Sequence, residues 1–477
     1  MKIVILSGSP KGNLSVSLEY WKYIQTHFLD HQYRIHHIGQ KINLIETKNE
    51  EFKSIINDVK NSDLIVWCFP VYYTLIPSQL KRFIELIFQR EQQKPFFNKY
   101  TTSFSTSIHF FDQAAHQYME LIVSDLNMQY LGAFSADFND IYYSEKRKNF
   151  RNYARIIFED IAHKRNIPSP QSPLEKVNKI NLLNKDEIPT KFDPEGKQIV
   201  IVADLPKNRP KLKSLNGSYH NLKEMVQFVE QQFKPNPTPK IVNINELDIK
   251  GPCLGCMKCS YDNTCVYEGK DEFNSFWMNT VVKESDILIF AGALVDHYFS
   301  SRWKMIFDRS YFLNHTPYVS DKQMIWIISG NQYGNHYLRE IIEAYTEFQR
   351  SNLVEIIWDN DRDARFVTQI LKNACDRAIR YAKLDFKTPK KFPAVGTEKI
   401  FRDDVYSRLR FICQADHRSY KDNGIYDTFP QNDKFSKKLN RKLMFFMKFK
   451  KIRKEVYNRA TKELWKPIHK IAIDPEK

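Results

Sequence analysis

Four cysteines crowd into thirteen residues, Cys253-Leu-Gly-Cys256-Met-Lys-Cys259-Ser-Tyr-Asp-Asn-Thr-Cys265. The spacing C-x2-C-x2-C-x5-C wraps three thiolates tightly around one centre and closes with a fourth, which suits a [4Fe–4S] cluster. Zinc is the rival, although structural zinc prefers two separated pairs. A cysteine-rich loop without metal is a third reading, and a disulfide pair is the least favoured of the four in a reducing compartment. A second constellation opens the chain. Ser7-Gly8-Ser9-Pro10-Lys11-Gly12-Asn13-Leu14-Ser15 follows a short apolar run and leads into a helical pattern. The hydroxyls of Ser7, Ser9 and Ser15, with the N–H groups of a helix N-terminus, can surround a phosphate. Gly8 and Gly12 let the backbone approach it closely. The same residues also spell an ordinary turn with a capped helix. Their place at the carboxyl end of a first strand favours a ligand.

The elements that must position these groups are supplied by a duplication. KIVILSGSPK from Lys2 aligns with QIVIVADLPK from Gln198, and SDLIVWCFPVYYTLIPSQLKRFIE from Ser62 aligns without a gap with SDILIFAGALVDHYFSSRWKMIFD from Ser285. Unbroken β-branched runs predict strands buried on both faces. We expect strands near 2–7, 33–38, 63–69 and 103–109, with helices near 14–29, 50–60, 77–91 and 112–126. The second half repeats the strands near 198–203, 240–244, 286–291 and 324–329. The fold class is therefore α/β: two tandem three-layer domains with parallel sheets. Boundaries are expected at 1–165, a Pro-rich linker 166–195, a second domain 196–390 carrying the cysteines as an insertion between its first and third strands, and a basic helical extension 391–477.

SGSPKGNLSVSL resembles the FMN phosphate loop of the NAD(P)H-dependent FMN reductase and iron–sulfur flavoprotein group of the flavodoxin-like superfamily. The resemblance implies that Ser7, Ser9, Pro10, Lys11, Gly12, Asn13, Leu14 and Ser15 hold the phosphate. Pro70-Val71-Tyr72-Tyr73, followed by Ile76-Pro77-Ser78-Gln79-Leu80-Lys81, resembles the second flavin-contacting loop. Ser105 and Thr106 stand at the position of the third. The cysteine motif is similar to the cluster-binding insertion of iron–sulfur flavoproteins, homo-oligomers in which one subunit's cluster faces another's flavin. Here the flavin loop lies in one copy and the cysteines Cys253, Cys256, Cys259 and Cys265 in the other. In the second copy Ser7, Gly8 and Ser9 become Ala203, Asp204 and Leu205, and an aspartate is electrostatically wrong for a phosphate. An intrachain pseudo-dimer with a single FMN–cluster pair is expected. The resemblance implies an FMN-dependent oxidoreductase taking electrons from NAD(P)H and passing them to an unknown acceptor, via FMN and the [4Fe–4S] centre. A non-catalytic electron-transfer or redox-sensing protein is the alternative, and a scaffold with vestigial sites a third.

Net charge is +16, but residues 431–470 hold 14 Lys/Arg against 3 Asp/Glu, so the bodies are only mildly basic. The basic stretch 434–465 reads as an amphipathic helix for an anionic membrane surface or, more commonly, as a helix packed on the body with a solvated face. No nucleic-acid module is recognisable, so nucleic acid is not expected as a partner. No apolar run spans a bilayer, the opening residues lack a signal-peptide pattern, and a cytoplasmic address is expected. Cys68, Cys375 and Cys413 read as buried structural thiols. Asp416, His417 and Arg418 are candidates to reach the flavin pocket, with His417 more often a structural residue.

Overall fold

The computed structural model describes residues 1–167, 177–182, 191–206, 217–235, 237–331, 335–359, 364–429, 434–456 and 459. Most of the expected linker (168–176 and 183–190) and the end of the basic stretch (457–458 and 460–465) lie outside the described residues. The chain forms two compact units, Met1–Asp416 and a second from His417 onward.

The first unit holds two five-stranded parallel sheets. β1 (Lys2–Ser7), β2 (Gln32–His36), β3 (Leu64–Pro70), β4 (Tyr100–Ser107) and β5 (Gln129–Asp137) run in the order β2-β1-β3-β4-β5. β6 (Ile199–Ala203), β7 (Lys240–Asn243), β8 (Ile287–Ala293), β9 (Gln323–Ser329) and β10 (Asn352–Trp358) repeat that order as β7-β6-β8-β9-β10. Both sheets are thus doubly wound, with the topological switch between the first and third strands of each copy. The unbroken apolar runs are buried on both faces as expected: β3, β8 and β9 hardly touch solvent.

The fifth strands escaped the sequence reading. β5 is only half-buried and carries Gly132 at φ +97°, beside a one-residue bulge opposite Thr101–Ser103. β10 carries a matching bulge at Leu353–Glu355. A bulged edge strand loses the period that marks a strand in sequence. The helix expected near 50–60 is preceded by another, Ile38–Thr47. In the second copy no α-helix stands in its place; the cysteine loop, with one short 3-10 turn at Lys258–Ser260, does, between β7 and the helical stretch 273–284.

One shared apolar core lies between the sheets, while a separate cluster covers each outer face. At the centre, helix Ser78–Gln89 packs against Ser301–Ser310. Their N-termini are capped across the duplication. The Ser78 N–H donates to Asp308 Oδ2 (2.8 Å), and the Ser301 N–H donates to Glu85 Oε1 (2.6 Å). Asp308 is the counterpart of Glu85 and Ser301 of Ser78, so each half supplies the anion that the other's helix dipole favours.

In the second unit, helix Lys434–Phe446 leaves Phe435, Leu439, Leu443 and Phe446 exposed among its lysines. Among the described residues no helix is long and apolar enough to cross a membrane.

Candidate functional site

The loop after β1 is set by close backbone approach. Gly8 N–H donates to Cys68 C=O (2.8 Å), extending the β1–β3 ladder by one residue. A Cβ on Gly8 would stand 2.6 Å from Leu80 Cδ2, and one on Gly39 would stand 2.2 Å from the Gly8 carbonyl oxygen. The start of helix Ile38–Thr47 is therefore pressed onto the loop. Gly12 sits at φ +55°, where a side chain is strained, and a Cβ there would have to displace the Gln40 amide. Ser15 caps helix Val16–Gln25 by accepting from the Leu18 N–H (3.4 Å), and Ser9 Oγ accepts from the Lys11 N–H (3.3 Å). Ser7 Oγ is buried with no partner in the protein. A buried hydroxyl without a partner costs free energy, and a phosphate oxygen would satisfy it. The loop thus fits the phosphate of FMN. Asn13 and Leu14 point outward and are exposed, so they border the loop rather than line it.

The second loop carries strain. Tyr72 N–H donates to Leu75 C=O (2.8 Å) and Leu75 N–H to Tyr72 C=O (3.1 Å), closing a turn whose central residues, Tyr73 and Thr74, have φ +46° and +67°. Such a turn prefers Asn and Gly, and a β-branched residue there stores roughly 1–3 kcal/mol. The equivalent residues of the second copy, Asp296 and His297, are not left-handed. The strain belongs to the half that keeps the flavin motifs.

The third loop departs from its expectation. Ser105 is buried, and its Oγ lies 2.8 Å from His116 Nε2, while Thr106 offers its carbonyl to the Val71 N–H (3.1 Å). Both are buried, and Ser107, Ile108 and Phe110, which follow them, line the cavity. His116 is held between Ser103 Oγ and Ser105 Oγ, and burial brings its imidazole down to about 4. The native state therefore refuses a proton that the unfolded chain accepts below about 6.5. Stability is expected to fall by ~3 kcal/mol as pH drops from about 6.5 to about 4. Urea midpoints at pH 7 and pH 4.5 check this, and His116→Gln should remove most of the difference.

The cysteine loop closes on these flavin motifs. Gln79 Nε2 donates to Cys253 C=O (2.8 Å), and Tyr72 Oη sits where a Cβ on Gly255 would fall, 2.0 Å away. Gly255 and Met257 are left-handed at φ +60° and +59°, which curls the loop inward. Arg309 clamps its base, donating to Gly251 C=O (2.9 Å) and to Asp271 Oδ2 (2.8 Å), with its guanidinium over the Tyr267 ring (4.2 Å). Lys11, Val71, Tyr72, Tyr73 and Cys253 share one cavity of about 280 Å³, walled largely by aromatic and apolar side chains of both halves.

All four loop cysteines are free thiols. Burial pushes the Cys253 and Cys259 thiols up to about 12, and the nearby loop cysteines add to both shifts. Among the described residues, no three of them bring ligand atoms within 4.8 Å of one another. A single zinc ion would need sulfurs about 3.8 Å apart, given a Zn–S bond of ~2.3 Å.

In the second copy Asp204 replaces Gly8. It is buried and accepts from Ser300 Oγ (2.5 Å) and Asn245 Nδ2 (2.7 Å), with its carboxyl raised by burial. An internal carboxylate thus stands at the position of Gly8, where its charge would repel a phosphate. Residues 207–216, which continue that loop, lie outside the described residues.

Two doubly wound parallel sheets of one strand order, repeated in tandem, make the fold α/β and flavodoxin-like. The first copy, residues 1–139, matches the family model of NADPH-dependent FMN reductase. An apo NADH:FMN oxidoreductase is 17% identical over 36% of this chain and 96% of its own, with a TM-score of 0.30. The flavoenzyme NAD(P)H:(acceptor) oxidoreductase from Paracoccus denitrificans is 14% identical over 34% of this chain and 97% of its own, with a TM-score of 0.29. An FMN-dependent NADH-azoreductase from Bacillus anthracis, solved with FMN, is 15% identical over 35% of this chain and 100% of its own, with a TM-score of 0.25. No curated protein matches the chain.

Proposed function

We propose that the chain is an FMN-dependent NAD(P)H oxidoreductase with one flavin site, in the first half, facing a [4Fe–4S] centre on the cysteine loop of the second. The observation that carries this reading is the closure of two motifs, remote in sequence, on one cavity through Gln79 and Cys253. Bound FMN supplies hydride acceptance from a nicotinamide and onward transfer of single electrons. Ser7, Ser9, Lys11, Gly12 and Ser15 hold its phosphate, with the N-terminus of helix Val16–Gln25 behind them. Val71, Tyr72 and Tyr73 bound the ring site, and their strained turn fixes its position. Cys253, Cys256, Cys259 and Cys265 are the ligands of the cluster. The aromatic and apolar walls suit a flat co-substrate.

Helix Lys434–Phe446 supports a second reading, a carrier that delivers electrons at an anionic membrane surface, because its exposed phenylalanines and leucines alternate with lysines. Anaerobic purification with a visible spectrum, iron and sulfide assay, and added NADH or NADPH tests both. Rapid bleaching of the flavin band with about four irons per chain is the result expected of the enzyme. A flavin inert to both nucleotides, with co-sedimentation on phosphatidylserine vesicles, supports the carrier; a colourless protein overturns both.

A further inference from the structure

Cys413 was expected to be a structural thiol, and its surroundings suggest more. His315, Cys413 and Asp416 bring an imidazole nitrogen, a sulfur and a carboxylate oxygen within 4.8 Å of one another, the one such group of three among the described residues. Cys413 and Asp416 are three residues apart at the opening of helix Gln414–Asp422, so they share a face. Both are buried, at 1% and 0% exposure. His315 comes from the turn after helix Ser301–Ser310, and several contacts fix it there. Asn314, at φ +55°, donates from Nδ2 to Cys259 C=O (3.0 Å) and Asn263 Oδ1 (2.7 Å). The His315 ring stacks on Phe401 at 4.1 Å between centroids. Asp416 Oδ1 accepts from the His315 N–H (3.0 Å) and Thr316 Oγ1 (3.1 Å), while Oδ2 lies 2.7 Å from His315 Nδ1. One carboxylate oxygen thus anchors the backbone and the other is aimed at the ring.

We propose that His315, Cys413 and Asp416 bind a zinc ion whose remaining coordination position opens into the cavity between the two halves. His315 and Cys413 both line that cavity. Zinc takes sulfur, nitrogen and carboxylate ligands together, and three protein ligands with one open position is the pattern of its reactive sites. Hard cations such as magnesium and calcium take oxygen ligands and would leave the thiol and imidazole idle. The open position would receive an oxygen or nitrogen donor of whatever small molecule enters the cavity. The assignment does not depend on the flavin or the iron centre.

Metal analysis of the full-length protein, equilibrated with excess Zn2+ and then dialysed, tests it. About one zinc per chain should be retained by the wild type and by Cys253→Ser, and lost from Cys413→Ser. Asp416→Asn, a conservative change that keeps an oxygen for the backbone contacts, should weaken zinc retention at least about tenfold and serves where Cys413→Ser does not fold. Zinc that is lost with Cys253 instead, or a wild type that retains none, overturns the proposal.

Discussion

Replacing Lys81 with methionine should destabilise the folded chain by about 3–5 kcal/mol, the cost of stranding a buried carboxylate. Lys81 is wholly buried, and its ammonium lies 3.0 and 2.8 Å from the two oxygens of Asp296 and 3.5 Å from Glu85. Asp296 is itself buried, and it accepts from Tyr118 Oη (3.0 Å) and the Tyr298 N–H (2.9 Å). Those neutral donors remain in the variant, but the positive charge does not. Glu85 in turn holds the N-terminus of the partner helix through Ser301. The loss therefore reaches across the join between the two copies. The check is a lowered denaturant midpoint with an unchanged slope. Adding Asp296→Asn to Lys81→Met should recover much of the loss, because replacing both members of a buried pair costs far less than removing one.

Gly39→Ala should weaken FMN binding about 10- to 100-fold, matching the 1–3 kcal/mol of an overpacked contact. In an ordinary helix this change adds up to ~1 kcal/mol of stability. Here the new methyl would meet the backbone of Gly8 and Ser9, at 2.2 Å from the carbonyl oxygen and 2.6 Å from each carbonyl carbon. Backbone cannot swing aside as a side chain can, so either the helix lifts or the phosphate loop deforms. Gly396→Ala is the control, since a Cβ there meets nothing within 4 Å. It lies inside helix Phe392–Asp404 and should stabilise slightly, leaving FMN affinity unchanged. Fluorescence quenching of FMN by each variant separates the two outcomes.

Much of this architecture was legible because the duplication preserved residues that each hold a joint. Ser62 and Ser285 donate to Val59 and Val281 carbonyls (2.7 and 2.6 Å), and Asp63 and Asp286 accept from the first residues of β1 and just before β6, Lys2 and Gln198 (2.7 and 2.8 Å). Ser78 and Ser301 receive the exchanged carboxylates, and Lys81 and Lys304 are the buried cations between the sheets. Recurrence showed that these residues mattered, but not that two of the pairs work across the join. The motif residues Ser7, Gly12 and the cysteines were visible for a different reason: tight phosphate and thiolate loops demand particular residues at fixed spacing.

What stayed hidden has no local signature. Gly39 is separated from the loop it supports by a helix and a strand, on a helix whose ordinary composition conceals the contact. Phe110, Tyr298, Phe307, Tyr345 and Phe401 reach the cavity from separate elements, and each reads alone as a core aromatic. His315 meets Cys413 and Asp416 only because the segment 392–416 folds back within the first unit. A pattern spread over a hundred residues has no period to detect.

The central claim is one flavin site per chain, in the first half. Titrating flavin-free protein with FMN, and reading the end point by fluorescence quenching, measures it directly. The account predicts saturation at one FMN per chain, abolished when Gly12 is replaced by valine and unaffected by Asp204→Asn. Saturation at two per chain, or one site that survives Gly12→Val, would contradict it.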